Sequence, residues 1–273
     1  MSANVYLPHL ARVVSIKEEV PGLRSIKTFR TQFVDGGFTH LCGQCAMLSI
    51  FGRGESMISI SSSPLVKDYL QFSILKTGRV TTALHDLEEG SVIGIRGPYG
   101  NSFPVDQWKG RNLLFVGGGI GLAPIWSVLQ TALLRKAEFG DLSLIYGART
   151  SADIVYKDEL ADLKTKMPVH VSIDVAEPGW KEFVGFVAQN ILDKKPSPER
   201  TTALVCGPPI MIKTSIKSLK DLGFGDDEIY TTVENKMKCG IGKCGRCNIG
   251  RHYVCKDGPV YSWAELQKLP QEY

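Results

Sequence analysis

The segment Asn112-Leu-Leu-Phe-Val-Gly-Gly-Gly-Ile-Gly-Leu-Ala-Pro124 joins a continuous apolar run to a glycine-rich turn and to the start of a helical pattern. A run that is apolar at every position is typical of a strand buried on both faces. The turn consists of Gly117, Gly118, Gly119, Ile120 and Gly121. Its glycines permit a tight bend and let a pyrophosphate reach the helix N-terminus, where free N–H groups favour anions. The segment predicts a nucleotide-binding turn, and because its spacing is not G-x-G-x-x-G, a turn without a ligand stays an alternative.

Toward the C-terminus the same pattern continues. Apolar strand-like runs recur at residues 142–146, 169–173 and 202–206, and helical patterns occupy 156–166 and 210–222. Strands that alternate with helices predict a parallel α/β sheet.

Two positions at the ends of predicted strands are further candidates for nucleotide contact. Arg149 stands where an NAD-specific fold often has an acidic residue. It is therefore a candidate for the 2′-phosphate of NADP, with a plain surface charge as the alternative. Cys206, Gly207 and Pro208 form a turn at the carboxyl edge of the sheet, where ligands bind in open α/β folds.

Toward the N-terminus the pattern is different. Short runs of alternating apolar and polar residues fill most of the first hundred positions, and turn residues separate them. Only residues 81–87 suggest a helix in this part of the sequence. Several short strands at this spacing predict a small antiparallel barrel or sandwich.

Four of the seven cysteines fall within 17 residues near the C-terminus, in the spacing C-x4-C-x2-C-x7-C. They are Cys239, Cys244, Cys247 and Cys255. The first three follow the plant-type ferredoxin spacing for a 2Fe–2S cluster, and the glycines between them let the backbone approach the sulfur atoms. A structural zinc site is the alternative, because four-cysteine sites with a C-x2-C half are common. The odd total and the clustering argue against a disulfide framework.

Composition and charge exclude several classes of protein. Apolar residues make up 43% of the 273 positions, which suits a packed core. The net charge of +4 is too small to predict nucleic-acid binding. No basic and apolar leader is evident at the start, and the uncharged residues 112–134 are explained by the glycine turn rather than by a membrane span. We expect a cytoplasmic protein with no nucleic-acid or membrane partner.

These features, in this order, resemble the ferredoxin-reductase superfamily. More narrowly, they resemble the iron–sulfur flavoprotein electron-transfer subunits of nickel–iron sulfhydrogenase (gamma subunit), anaerobic sulfite reductase and dihydroorotate dehydrogenase. The resemblance covers nearly the whole chain, and its most specific parts are residues 78–82, 95–105, 237–250 and 253–260. The short loop before Cys255 is closer to the first two of these proteins than to the third.

The resemblance implies three parts in a ferredoxin-reductase-like fold. They are a FAD-binding antiparallel β-barrel (1–106), an α/β parallel-sheet domain for NAD(H) or NADP(H) (107–230) and a 2Fe–2S module (231–273). The residues that it places against the flavin ring are Ile58, Ser59, Ile60 and Ser61, with the Ser59 hydroxyl at the reactive edge. Those that it places at the flavin phosphates are Gly78, Arg79, Val80 and Thr81. The glycine turn and the Cys206 turn would hold the nicotinamide nucleotide.

The activity that the resemblance implies is electron transfer between NAD(P)H and the iron–sulfur and catalytic subunits of a hydrogenase or sulfite reductase complex. The alternatives are the electron-transfer subunit of dihydroorotate dehydrogenase and, in a different class, a zinc-containing nucleotide-binding regulatory module. The redox chemistry belongs to the cofactors, so no catalytic side chain is assigned.

Two departures from the family pattern stand out. Ser56 occupies a position where many relatives have an arginine, which shifts the expected phosphate contacts to Arg79 and to backbone donors. Cys42 and Cys45 replace a turn that usually lacks cysteine, and a C-x2-C pair suggests a redox or metal role. No helix N-terminus follows them to lower a thiol pKa, so we expect two ordinary buried cysteines.

Overall fold

Two β-sheets organise the chain in the computed structural model, which describes residues 4–270. Within that range the N-terminal sheet has six antiparallel strands in the order β4-β3-β6-β1-β2-β5. These strands are β1 (His9–Val20), β2 (Ile26–Phe33), β3 (Cys45–Ile50), β4 (Gly54–Ser59), β5 (Leu70–Leu75) and β6 (Val92–Tyr99). Helix α1 (Arg79–His85) lies between β5 and β6.

The alternating pattern of these strands gives the sheet one buried face. One core contains Phe29, Leu48, Phe72 and Ile93, which lie on four different strands. Beyond β4, the backbone N–H of Ser61 donates to the carbonyl of Gln71 at 2.8 Å, which brings the two edge strands of the sheet together. The predicted small barrel is therefore the observed N-terminal architecture.

The second sheet has seven strands among the described residues, in the order β10-β9-β8-β7-β11-β12-β15. These strands are β7 (Asn112–Gly118), β8 (Leu142–Ala148), β9 (Val169–Ile173), β10 (Phe183–Val184), β11 (Thr201–Cys206), β12 (Ile229–Thr232) and β15 (Val260–Ser262). The helices between them are α2 (Leu122–Leu134), α3 (Lys157–Leu163), α4 (Val187–Lys194) and α5 (Pro209–Asp221). Every pairing is parallel except the last, between β12 and β15.

Successive residues of β7 face opposite sides of this sheet, which explains its unbroken apolar run. Leu113 and Phe115 pack in a core with helices α2 and α3, while Leu114 and Val116 pack in another with α4 and α5. Both faces are thus covered by helices, as a parallel sheet requires.

The cysteine-containing segment joins the second sheet at its end. It includes β13 (Asn248–Ile249), β14 (His252–Tyr253), α6 (Val254–Asp257) and, beyond β15, α7 (Trp263–Leu266). The predicted boundary at 230/231 falls inside β12, and β15 of the segment that follows pairs with β12 in the same sheet. The domain boundaries stay predictions.

Several elements differ from the sequence-based expectation. The sequence pattern did not indicate α4, β12 or the short strands after residue 233. The segment 112–134 forms β7 and α2, and no helix within residues 4–270 is long and apolar enough to cross a membrane.

Candidate functional site

The glycine turn and the Cys206 turn meet at the point where the strand order of the second sheet reverses. Strand β7 has β8 on one side and β11 on the other, and Cys206 is aligned with Gly117. The chain runs outward from β7 to β10 and then returns to β11 beside β7. In open α/β sheets, such a reversal leaves a crevice at the carboxyl ends of the strands, where ligands bind.

The glycines of this turn have two different functions. A Cβ on Gly121 would lie 2.4 Å from the Cα of Gly207, and a Cβ on Gly118 would lie 2.4 Å from the Sδ of Met211. These two glycines let the neighbouring turns pack together. Gly119 is different, because its φ is +54° and a Cβ there would meet nothing within 4 Å. Gly119 is therefore the position that is open to a ligand.

Arg149 lies just beyond β8, at the same edge of the sheet. Its side chain is 63% exposed, and its only ion pair within the described residues is a long one with Asp153, at 3.5 Å. Burial raises the pKa of the nearby Asp174 carboxyl, and the positive charge of Arg149 opposes this shift. The guanidinium is thus available to a ligand, and its predicted role at a 2′-phosphate stays a prediction.

In the barrel, the four residues predicted at the flavin ring differ in burial and in whether their side chains are free to contact a ligand. Ser59 ends β4 and is aligned with Cys45 of β3, and its side chain is only partly buried. Ile60 and Ser61 are fully buried. The Ser61 hydroxyl donates to the carbonyl of Gln71 at 3.1 Å, so it holds the barrel rather than presenting a free hydroxyl. Ile58 is partly buried on the same strand as Ser59.

The predicted phosphate residues lie at the start of α1. The Thr81 hydroxyl accepts hydrogen bonds from the N–H groups of Thr77 and Gly78, at 3.0 and 2.9 Å. Gly78 and Arg79 are exposed. The first turn of a helix leaves N–H groups without acceptors inside the helix. Arg79 and this turn therefore fit an anion, although the role of these residues stays a prediction.

The cysteine loop (residues 233–258) places backbone donors around the sulfur atoms of two of the four cysteines, Cys239 and Cys255. The Sγ of Cys239 accepts from the N–H groups of Ile241, Lys243 and Cys244 at 3.3 to 3.5 Å. The Sγ of Cys255 accepts from the N–H of Gly242 at 3.2 Å. Glycines 240, 242, 245 and 250 all have φ between +54° and +78°. N–H groups directed at sulfur are the surroundings that a thiolate-bound cluster needs.

The four thiols have unequal surroundings. Cys247 and Cys255 are buried, Cys239 is partly buried and Cys244 is exposed. Burial acts to raise the pKa of Cys239, but the backbone donors outweigh it and hold that pKa at about 6. Burial and the neighbouring Cys247 raise the pKa of Cys255 to about 12. The residues fit a cluster held through thiolates, since Cys239 is the thiol that the backbone already stabilises as an anion.

A structural zinc site, with these cysteines as the ligands, was the alternative to a cluster. Among residues 4–270, no three Cys, His, Asp or Glu side chains are grouped as ligands of a single metal ion would be. The fit to a cluster depends on the N–H donors around Sγ described above.

The cysteine loop is fastened to the barrel by a buried arginine that the sequence analysis did not single out. The Arg96 guanidinium donates to both oxygens of Glu55, at 2.7 and 3.2 Å. It also donates to the Tyr99 hydroxyl at 2.7 Å and to the carbonyl of Cys239 at 3.3 Å. Arg96 is only 4% exposed, so these bonds form away from water. Arg96 lies within residues 95–105, one of the stretches that carried the family resemblance. This position was the one indication in the sequence that Arg96 is important.

A second attachment lies two residues beyond β6. The Asn101 amide donates to the carbonyl of Val260 at 2.7 Å, and its oxygen accepts from the N–H of Val260 at 2.9 Å. Because Val260 begins β15, just after the cysteine loop ends, this pair links the barrel to the second sheet.

Cys42 and Cys45 are buried and free, as expected for ordinary packing. The Sγ of Cys42 lies 3.2 Å from the Oγ1 of Thr131 on α2. Burial raises the pKa of Cys45 to about 12, and the charges of Cys255 and Glu234 act in the same direction. Cys45, the first residue of β3, is therefore close to Cys255 of the cysteine loop.

Glu234 is another residue that sequence reasoning missed. Loss of hydration raises the pKa of its carboxyl. Burial raises the pKa of Cys206 to about 12, the Thr232 hydroxyl opposes this, and the charge of Glu234 adds to it. Glu234 is exposed, and its carboxyl is close enough to Cys45 and Cys206 for its charge to act on both thiols. A lone acid in a basic segment was the only signal in the sequence.

Comparison with known protein families matches two parts of the chain. Residues 115–217 match the oxidoreductase NAD-binding domain. Residues 234–267 match the iron–sulfur cluster binding domain of dihydroorotate dehydrogenase B. The predicted nucleotide turn and the four cysteines fall within these two ranges.

Curated relatives cover nearly the whole chain. Sulfhydrogenase 1 subunit gamma of Pyrococcus furiosus is 40% identical over 98% of this chain and 94% of its own length. Sulfhydrogenase 2 subunit gamma of the same organism is 37% identical over 95% and 96%. A probable dihydroorotate dehydrogenase B (NAD(+)) electron transfer subunit of Methanocaldococcus jannaschii is 32% identical over 97% and 93%.

Solved structures agree on the fold. An NADH-dependent reduced ferredoxin-NADP oxidoreductase covers 100% of this chain and 95% of its own, with a TM-score of 0.75 and 22% identity. A ferredoxin NADP+ reductase of Neisseria gonorrhoeae, solved with bound FAD and NADP, covers 81% and 96%, with a TM-score of 0.66 and 19% identity. The expected ferredoxin-reductase-like fold is confirmed. On the identities of the curated relatives, the chain belongs to the family of oxidoreductase electron-transfer subunits with an NAD-binding domain and an iron–sulfur cluster binding domain, which includes the sulfhydrogenase gamma and dihydroorotate dehydrogenase B electron-transfer subunits.

Proposed function

We propose that this chain passes electrons between NAD(P)H and the iron–sulfur and catalytic subunits of a nickel–iron hydrogenase or sulfite reductase type complex. The nicotinamide nucleotide binds in the crevice between the glycine turn and the Cys206 turn. FAD binds along Ser59 and at the start of α1, and the cluster is held by Cys239, Cys244, Cys247 and Cys255.

The observation that carries this proposal is the proximity of the predicted flavin strand to the cysteine loop. Cys45 of β3 is aligned with Ser59 on one side and with Tyr99 on the other. Tyr99 lies under the cysteine loop, since a Cβ on Gly240 would be 2.9 Å from its ring. The single strand β3 therefore separates the flavin strand β4 from β6, the strand that the cysteine loop contacts.

The protein contributes position and charge to the reaction. When bound, FAD exchanges a hydride with the nicotinamide and single electrons with the cluster, which is why it belongs between them. Gly119 leaves room for the nucleotide, and the packed pair Gly121 and Gly207 fixes the walls of the crevice. Arg96 holds the backbone of Cys239 at a fixed place on the barrel. No side chain is required as an acid or base for hydride transfer itself.

The relatives support a hydrogenase-type partner. The two sulfhydrogenase gamma subunits are 40% and 37% identical to this chain, above the 31 to 34% of the dihydroorotate dehydrogenase B subunits. We also propose the cytoplasm as the compartment, because reduced thiols persist there.

One observation favours the second candidate, the electron-transfer subunit of dihydroorotate dehydrogenase. The cysteine loop matches the iron–sulfur domain of that enzyme over residues 234–267. Copurification with an FMN-containing barrel subunit would favour this candidate, whereas copurification with a nickel-containing subunit would favour the first.

The test begins with the absorbance spectrum of the anaerobically purified protein, before and after addition of NADPH or NADH. We expect a flavin band over broad iron–sulfur absorbance, with both bleached by the nucleotide. A colourless protein that contains zinc would contradict the proposal and favour a regulatory module.

The order of the relay is tested with Cys244→Ser. We expect the variant to keep flavin reduction by NAD(P)H and to lose transfer to the partner subunits. Partner reduction at the native rate would show that the proposed order is wrong.

A further inference from the structure

The positive charge of this protein is concentrated in the cysteine loop. Residues 236–256 contain six Lys or Arg and no Asp or Glu. The rest of the chain has 26 basic and 28 acidic residues, which leaves it with a net charge of −2. The overall charge of +4 therefore comes from the segment that carries the cluster ligands.

Part of this charge surrounds the exposed cluster ligand. Residues 243–246, which include Cys244, are all exposed. Lys256 is also exposed, and its side chain passes Gly242, where a Cβ would lie 3.4 Å from the Lys256 Cδ. Lys238 is exposed and precedes Cys239, whose Sγ accepts from the N–H of Cys244. We call Lys238, Lys243, Cys244, Arg246 and Lys256 the cluster face.

The cations of the cluster face have no acidic partner within the described residues. Ion pairs elsewhere engage ten other Lys or Arg residues of residues 4–270, and none involves these four. The nearest acid along the chain, Asp257, accepts a hydrogen bond from the N–H of Tyr253 at 2.7 Å. Four exposed cations are thus left to interact with something outside the chain.

Balancing the charge of the cluster does not account for all of them. Four thiolates around a two-iron core carry a net negative charge, and the N–H groups directed at Cys239 and Cys255 already stabilise part of it. A charge that served only the cluster would be most effective when buried, as Arg96 is. The exposed position of these cations suits an external partner.

We propose that the cluster face docks an acidic surface of the redox partner, placed around the partner's own electron acceptor or donor. This rests on the proposed function and names the chemistry of the partner at the cluster end. Opposite charges steer such encounters and raise the association rate without requiring a large apolar interface. The docked complex brings Cys244, the most exposed of the four ligands, to the partner.

The test uses the holoprotein and two variants with the same change in net charge. The loop variant is Lys243→Glu, Arg246→Glu and Lys256→Glu. The control is Arg24→Glu, Lys181→Glu and Lys217→Glu, three exposed cations without an ion pair elsewhere in residues 4–270. Each variant is compared with the native protein at low ionic strength.

Two probes of opposite charge distinguish docking from damage. A reduced acidic 2Fe–2S ferredoxin is the protein probe. Two ferredoxin molecules give one electron each, and with one proton these convert NAD(P)+ to NAD(P)H, which is followed at 340 nm. Hexaammineruthenium(III), a small cation, is the second probe, and each NAD(P)H reduces two of these ions and releases one proton. The ruthenium rate shows whether the cofactors of a variant still work.

We expect the loop variant to lose about tenfold in the ferredoxin rate while its ruthenium rate is kept or raised. The control variant keeps the native ferredoxin rate. The difference between the variants disappears near 1 M salt, where the Debye length falls to about 3 Å.

Three results would overturn the docking proposal. The first is an equal loss of the ferredoxin rate in both variants, and the second is no loss of that rate in either. The third is a native protein that reduces ruthenium but takes no electrons from the acidic ferredoxin. A native protein that fails with both probes and is not bleached by NAD(P)H would instead refute the proposed function.

Discussion

The glycine turn and the cysteine loop are both irregular segments rich in glycine, but they owe their shapes to different forces. The turn is held between β7 and α2, and the neighbouring Cys206 turn packs against it in backbone contact. The cysteine loop has two strands of two residues each and one four-residue helix within its described range. Its N–H groups donate to sulfur atoms instead of to a sheet.

This difference separates a site that the polypeptide forms by itself from one that needs its ligand. Removing nucleotide leaves the turn supported by the sheet on both sides. Without the cluster, the sulfur atoms that accept these hydrogen bonds are no longer held in place. The loop then also loses the free energy of metal binding that stabilises its folded form.

The largest effect is expected for Cys247→Ser, because Cys247 is a buried member of the four thiols. We expect almost complete loss of cluster iron and rapid proteolysis within residues 233–258, while NAD(P)H still bleaches the flavin. Iron and sulfide analysis with limited proteolysis measures both effects. Cys42→Ala is the matched control, since Cys42 packs against α2, and it should keep the cluster. A Cys247→Ser protein with native iron content and a protected loop would contradict the contrast.

Gly121→Ala should damage the nucleotide turn through packing. Its Cβ would meet the Cα and N of Gly207 at 2.4 and 2.6 Å, and backbone cannot move aside as a flexible side chain can. We expect a loss of about 1–3 kcal/mol in the free energy of unfolding and a KM for NAD(P)H raised about tenfold, with the cluster intact. Urea unfolding and steady-state kinetics provide the measurements.

Gly119→Ala is the companion variant for this test. A Cβ at position 119 has free space around it, but the backbone φ there is +54°. We therefore expect about 1 kcal/mol of backbone strain in the variant. Its Cβ would point into the open side of the turn, so the KM should rise with a smaller loss of stability. Equal losses of stability in the two variants would argue against packing as the role of Gly121.

Arg96→Lys tests how firmly the cysteine loop depends on the barrel. Lysine keeps one charge but cannot bind Glu55 with two nitrogens while it also reaches Tyr99 and the carbonyl of Cys239. We expect the cluster to be lost several times faster during exposure to a chelator, with flavin content unchanged. Arg30→Lys, on an exposed position of β2, is the control. Identical rates of cluster loss in the two variants would show that the barrel contact does not hold the loop.

The sequence foretold the parts of the fold and site that depend on local patterns. The apolar run before Gly117 and the alternation in the first hundred residues each indicated the observed elements, and the cysteine spacing indicated the segment that matches an iron–sulfur cluster binding domain. Contacts between distant residues were not predictable in this way. Arg96 and Glu55 are 41 positions apart, and Glu234 matters only because folding brings it near Cys45 and Cys206. Likewise, β15 becomes a strand because β12 offers an open edge.

The smallest effect is expected at Arg149, on the nucleotide side of the comparison. Its guanidinium is exposed, and its pair with Asp153 is long, so removing it costs little stability. If it meets a 2′-phosphate, Arg149→Ala should raise the KM for NADPH about tenfold and leave the KM for NADH within twofold, which corresponds to about 1.4 kcal/mol of binding. Steady-state kinetics with both nucleotides decide the matter. Arg149→Lys should recover part of the NADPH affinity, since it restores a charge without the planar fork. Equal changes for the two nucleotides would remove the 2′-phosphate role and leave Arg149 as a surface charge on a turn whose shape is set by the sheet.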